Sequence, residues 1–244
     1  ELVAAAKMDR GVGSSDQTPA SAEVPRDKAI EKADESFWKA RELIEQGKLR
    51  SATGVLKGVI RTYAQRFAYM EDFSQLIEAV YDAAVTFHAS GLSGLSKTML
   101  QILYTLRPDT VFDRRKVPEG FMGLADRVRE DVSSKPGGTL KINTRPAGAR
   151  VLVDGVDHGA SPVEVSLGVA GTHFVVARMA GYRPAGERVR VPTRGSKKKV
   201  KLSLKKIRTK SKKKRKSSRY VRLDDIAPLV EAGNFDRTLL GMLK

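Results

Sequence analysis

The residue types that carry most enzyme chemistry are few and scattered in this chain: three histidines, His88, His158 and His173, and no cysteine among 244 residues. Without cysteine there is no thiol nucleophile, no disulfide framework and no thioether-linked lipid in this sequence. A zinc site needs several imidazole or thiolate ligands at short fixed spacing, and none of the three histidines has such a neighbour. Asp154, Asp157 and His158 share one turn and are the nearest thing to a cation cage. Aspartate before glycine, as in Asp154-Gly155, is ordinary hairpin-turn chemistry, and that reading is the simpler one. No glycine-rich loop with a phosphate-binding lysine is present, and no Gly-x-Ser-x-Gly elbow. Nor do paired carboxylates stand at a site recognisable as a glycoside hydrolase. The expectation is a protein without catalytic residues, metal or cofactor, and hence not an enzyme.

Charge is the stronger signal. The formal charge is +17, and the segment from Lys197 to Arg222 holds 15 Lys or Arg and no Asp or Glu, leaving +2 for everything else. A near-neutral body with one basic strip describes an attachment point rather than a uniformly basic binding domain. The expected anion contacts are Lys205, Lys206, Arg208, Lys210, Lys212, Lys213, Lys214, Arg215, Lys216 and Arg219, within a linker over 205–222 that has too few apolar residues to fold by itself. Nucleic acid, anionic lipid, an acidic protein and an acidic polymer all answer to that chemistry. No aromatic residue precedes Tyr220 in the strip, which argues against base stacking. Beyond it, Asp224-Asp225 precedes an amphipathic pattern at 223–244, with Ile226, Leu229 and Val230 and then Leu239, Leu240 and Leu243. Such a segment is too short to stand alone and reads as a docking helix.

The elements that would position these groups divide into two kinds. Residues 1–26 are rich in Gly, Ser, Pro, Ala and charge, and read as a disordered leader or linker. The chain opens on Glu1, as expected of a processed chain or of part of a longer one. No run approaches the roughly 18 to 20 apolar residues that a membrane-crossing helix needs. From Asp27 to 134 the apolar period is helical: Ala33, Phe37, Ala40, Leu43 and Ile44, then Ala52, Leu56, Val59, Ile60 and Tyr63, with Asp27 as an N-cap and Gly47 as a turn. Ala40, Leu43, Gly47, Ala52, Leu56 and Val59 recur 44 residues later as Ala84, Phe87, Gly91, Ser96, Leu100 and Leu103. Small residues let two helices approach, glycine turns the chain, and larger apolar residues fill the groove. The pattern resembles the tetratricopeptide repeat, a helical hairpin of about 34 residues, with about ten extra residues around Thr62–Phe73 that are expected to elongate the second helix of the first hairpin. A further helix near Phe121–Val132 is expected to cap the stack. Trp38, Tyr63, Phe67, Tyr69 and Phe73 are the candidates for a partner-binding groove, although aromatics at helical spacing are more often core.

After Lys135-Pro136-Gly137-Gly138, a linker by composition, the period falls to two. Leu140 and Ile142, Val151 and Val153, Val163, Val165 and Leu167, Phe174 and Val176, Val189 and Val191, and Val200, Leu202 and Leu204 mark about six strands with one apolar face each. Within 138–204, Arg145-Pro146-Ala147-Gly148-Ala149 is followed by Val153-Asp154-Gly155, Gly159-x-Ser161-Pro162 and Gly181-Tyr182. This combination resembles the PEGA domain, with Ala147 where the family's namesake turn has glutamate. The resemblance implies a small β-sandwich acting as an interaction module, commonly outside the cytoplasm.

The fold expected is therefore α+β and multidomain: a tetratricopeptide-like helical domain, a PEGA-like β domain, a basic linker and a C-terminal helix. The function expected is a scaffold or adaptor of a bacterial cell-envelope or surface assembly, periplasmic or on the outer surface, whose partners are other proteins and an anionic surface. The alternative is a cytoplasmic protein gripping nucleic-acid phosphates. Deleting Lys205–Arg219 is expected to abolish salt-sensitive association and leave thermal unfolding nearly unchanged, as measured by binding against ionic strength and by calorimetry.

Overall fold

The computed structural model describes residues 27–193 and 195–207. The expected leader at 1–26, the anion contacts from Arg208 to Arg219 and the docking segment at 223–244 lie outside the described residues. Five helices come first: α1 (Lys28–Glu45), α2 (Leu49–Arg66), α3 (Ser74–Ala89), α4 (Ser93–Leu106) and α5 (Phe121–Ser133). Asp27 caps α1 as its sequence position predicts, its Oδ1 accepting from the Ala29 N–H at 2.8 Å.

The 44-residue repeat is a repeat of geometry. Gly47 and Gly91 take the left-handed conformation, φ 71° and 75°, that closes each hairpin. Each closure uses the same bonds: Lys48 N–H donates to the Leu43 carbonyl at 2.8 Å, and Leu92 N–H to that of Phe87 at 2.7 Å. Ala40, Ala52, Ala84 and Ser96 are all fully buried where the paired helices cross. Ser96 keeps its hydroxyl satisfied by donating to the Ala84 carbonyl at 2.7 Å. α5 covers the second hairpin through Phe121, which meets Phe112 edge-on at 4.9 Å.

Nine strands follow among the described residues: β1 (Thr139–Arg145), β2 (Arg150–Val153), β3 (Val156–Ala160), β4 (Val163–Ser166), β5 (Gly171–Arg178), β6 (Tyr182–Arg183), β7 (Ala185–Val191), β8 (Lys197–Ser203) and β9 (Lys205–Lys206). One sheet has the order β3-β2-β5-β7 and a second the order β4-β1-β8, with β1 and β8 parallel; β6 and β9 form a separate pair. The sheets enclose a core that includes Leu140, Ile142, Val151, Val165, Val175, Val189 and Val200. Asp154-Gly155 makes the two-residue β2–β3 turn with φ 52° and 83°, as the dipeptide predicts. The Pro146–Ala149 turn is tied to the Ser161 loop, with Gly148 N–H donating to the Ser161 carbonyl and Ser161 N–H to that of Ala149, both at 2.9 Å. Ala147 is exposed there, so replacing the family's glutamate leaves the turn intact.

Four sequence expectations change. First, Phe174 and Val176 do not face the sandwich core; they belong to the helical core, and Val175 and Ala177 point into the sandwich. From His173 to Ala177 every residue of β5 is buried, because helices cover the sheet's outer face. Second, Lys135–Gly138 is a packed joint. The Lys135 carbonyl accepts from Ala170 N–H at 2.7 Å, and a Cβ on Gly137 would lie 2.4 Å from the Val169 carbonyl oxygen. Third, Lys205 and Lys206 pair with Arg183 and Tyr182 as β9, and Ile207 N–H donates to the Gly181 carbonyl at 2.8 Å. Removing the basic strip from Lys205 therefore cuts into the β module, and a clean truncation begins at Arg208. Fourth, the ten extra residues of the first repeat do not merely lengthen α2, which ends at Arg66. They form a 3₁₀ turn, Phe67–Tyr69, and a short loop to Phe73.

That insertion seats the β module. Phe174 meets Phe67 at 5.0 Å and Phe73 at 5.7 Å, both edge to face, and Phe67 meets Phe73 at 6.3 Å. Beside this triad Gly186 admits no side chain, since a Cβ would stand 2.7 Å from Phe67 Cε2. Arg178 closes the contact, donating to the Met70 carbonyl and, at 3.0 Å, to that of Glu71. Phe174→Ala is expected to cost about 3–5 kcal/mol. Gly186→Val is expected to cost at least about 1–3 kcal/mol by overpacking. Urea denaturation followed by far-UV dichroism measures both.

Candidate interaction surfaces

Of the five aromatic residues considered for a groove, Tyr63, Phe67 and Phe73 are buried and Tyr69 is half-buried. Helical spacing places Tyr63 in the core and the insertion turns Phe67 and Phe73 towards β5, so these three rings are not open to a partner. Tyr63 donates to Asp34 Oδ1 at 2.6 Å, and burial, with Asp34 alongside, pushes its phenol pKa up and keeps it a neutral donor. Trp38 alone stays open, 59% exposed. Arg41 sits 5.5 Å from its ring centre and is itself held by Asp82 at 2.8 Å and Glu78 at 3.0 Å.

The turn that resembled a cation cage has other work. Asp157 binds Arg150 at 2.6 Å and accepts from Gly159 N–H, and the hydrogen bond from Arg150 holds its carboxyl pKa below the ordinary range. Asp154 turns the other way, into the protein. Its Oδ1 accepts from Phe174 N–H at 2.8 Å, and its Oδ2 from His173 Nδ1 at 2.6 Å. His173, 2% exposed, also places Nε2 3.0 Å from the Val169 carbonyl oxygen. The pair thus ties the β2–β3 turn to β5 and to the joint before it. No group of three metal-ligating side chains exists among the described residues. His88 lies apart on α3, edge-on to Phe121 and within 3.2 Å of the Glu119 carbonyl.

Two surfaces remain. The first is a cleft of about 470 Å³ where α2, α4 and α5 meet β5 and β7. Ile102, Val132 and Phe174 give it an apolar lining, and Thr98, Gln101 and Thr172 add polar groups. Arg188 and Arg190, opposite Phe174 and Thr172 in the β5–β7 register, line its β side. Neither arginine makes an ion pair among the described residues. Sequence reasoning passed over them, although their period-two alternation with Val189 and Val191 marks them as one outward face.

The second surface is basic and belongs to the fold itself. On the outer side of the β4-β1-β8 sheet, Lys197, Lys199 and Lys201 of β8 lie beside Lys141 and Arg145 of β1, and all five are exposed. Lys141 and Lys199 stand in direct register, and Glu164 pairs with Lys141 at 3.1 Å. Lys205 and Lys206, the two proposed anion contacts among the described residues, are exposed on β9.

Asp154→Ala leaves a buried imidazole nitrogen and a buried strand N–H without their acceptor, and is expected to cost about 2–4 kcal/mol. Asp157→Ala removes only an exposed pair and is expected to cost less than about 1 kcal/mol. Equilibrium unfolding in urea distinguishes the two.

Residues 137–208 match the family model of the PEGA domain. The β module is thus a PEGA domain, a protein-interaction type of domain associated with periplasmic and extracellular proteins. No curated protein matches the chain.

Proposed function

With a PEGA domain packed on a pair of helical hairpins as the premise, we propose that this chain is a non-enzymatic scaffold or adaptor of a bacterial cell-envelope assembly. Its partner is a protein that presents an acidic, partly apolar segment to the cleft between α4 and β7. The observation that carries this reading is the cleft's composition: Ile102 and Phe174 offer an apolar seat, Arg188 and Arg190 supply two cations that make no ion pair among the described residues, and the one carboxylate of the lining, Asp131, is already paired with Lys135. Arginine's planar fork suits carboxylates, and a hot spot of this kind needs one desolvated anchor with charged neighbours. The Lys/Arg-rich strip from Lys205 to Arg219 is a second contact, made with an anionic surface.

A photo-crosslinking residue at Gln101 of the full chain, expressed in its source cells, tests the proposal. Protein adducts are expected at Gln101 and not at exposed Val111, and Arg188→Glu with Arg190→Glu is expected to weaken binding of the recovered partner at least tenfold. Equal labelling at both positions, or adducts that vanish on nuclease treatment, would overturn it, the latter in favour of nucleic acid.

A further inference from the structure

We propose that the outer face of the β4-β1-β8 sheet docks on an anionic phospholipid bilayer. The inference deepens the reading above, on which it rests, by naming the anionic surface and the residues that meet it. Alternation places Val200 and Leu202 of β8 inward and sends Lys197, Lys199 and Lys201 outward. The parallel register sets Lys141 beside Lys199, and Arg145 lies farther along β1. Glu164 is the one carboxylate on that face among the described residues, so five cations face one anion.

Lys141 and Lys199 are the one like-charge pair in direct register on this face, offset in part by Glu164, and an external anion relieves the repulsion that remains among the cations. Its spacing is two-dimensional: about 6.6 Å between successive outward lysines and about 4.8 Å between strands. A broad plane of headgroups offers counter-charges in both directions. The face has no aromatic side chain to stack on a base and no helix or ribbon standing proud to enter a groove, and lysine is a compact point charge rather than a base-reading fork. In sequence, nine further Lys or Arg follow between Arg208 and Arg222.

Co-sedimentation of the full chain with vesicles tests this, using 30% anionic phospholipid against neutral vesicles, with a 20-base-pair duplex as a parallel arm. Three variants accompany the wild type. One carries Lys197→Gln, Lys199→Gln and Lys201→Gln; another changes the same three to Arg; a third neutralises the eight cations from Arg208 to Arg219. Binding to anionic vesicles alone is expected, with a loss of about 100-fold in the glutamine variant, since each lysine near the surface contributes roughly fivefold. The arginine variant is expected to bind as the wild type does, and unchanged thermal melting shows that the sheet survives. A loss below fivefold in the glutamine variant, with binding abolished in the third variant, would overturn this inference and leave the anionic anchor of the previous section standing. If the wild type ignores anionic vesicles altogether, the lipid face and that anchor both fall. Tighter binding to the duplex than to vesicles, lost in the glutamine variant, would assign the face to nucleic acid instead.

Discussion

Phe174 is the constraint on which this structure turns. A strand in a two-sheet sandwich has one face for its partner sheet and one for water, but β5 gives its second face to the helices. Three aromatic rings then meet edge to face at the contact between the layers. Around them glycine stands at 186 where Phe67 presses on the sheet, and Arg178 donates to the loop carbonyls of Met70 and Glu71 while its buried Nε has no partner among the described residues. Burial lowers the pKa of that guanidinium, yet the group is held by acceptors on the opposite layer, as a charge leaving water must be.

The helical repeat shows how the chain affords such a contact. Both hairpins use the same turn, the same small residues at the crossing and the same larger residues behind them. Only the first carries the stretch from Phe67 to Phe73. The second hairpin meets β5 through α4, where Thr105 stands against Gly171; the insertion gives the first hairpin an aromatic seat for Phe174. Asp154 serves the same union from the β side, since one carboxylate accepts from the Phe174 backbone and from His173 while its own backbone shapes the hairpin. Residues that looked like scattered chemistry are thereby structural.

Charge is sorted by the same alternation that builds the sandwich. Val200 and Leu202 of β8 enter the core, so Lys197, Lys199 and Lys201 gather on the other side, and Val189 and Val191 of β7 leave Arg188 and Arg190 beside the cleft in the same way. The two basic surfaces differ in what surrounds them. Arginines next to Ile102 and Phe174 make a pocket with an apolar lining, whereas lysines on an open sheet make a diffuse field without one. Pocket and field favour different kinds of partner, a protein segment and an extended anion.

Much of this was legible in the residues. Helical periodicity and the 44-residue repeat specify five helices and their two glycine turns, because local spacing alone decides which side of a helix is apolar. Pro146–Ala149, Asp154-Gly155 and Ser161-Pro162 likewise specify the β module, since turn geometry depends on a few adjacent residues. The run Phe174-Val175-Val176-Ala177 already departs from alternation and signals a strand buried on both faces, yet it does not say what covers the second one. That Phe67 and Phe73 meet Phe174 across more than a hundred residues, that His173 reaches Asp154, and that Arg188 faces Ile102 were decided by the tertiary structure. Burial by a distant element leaves no period in the sequence of either partner, and only folding brings the two surfaces into contact.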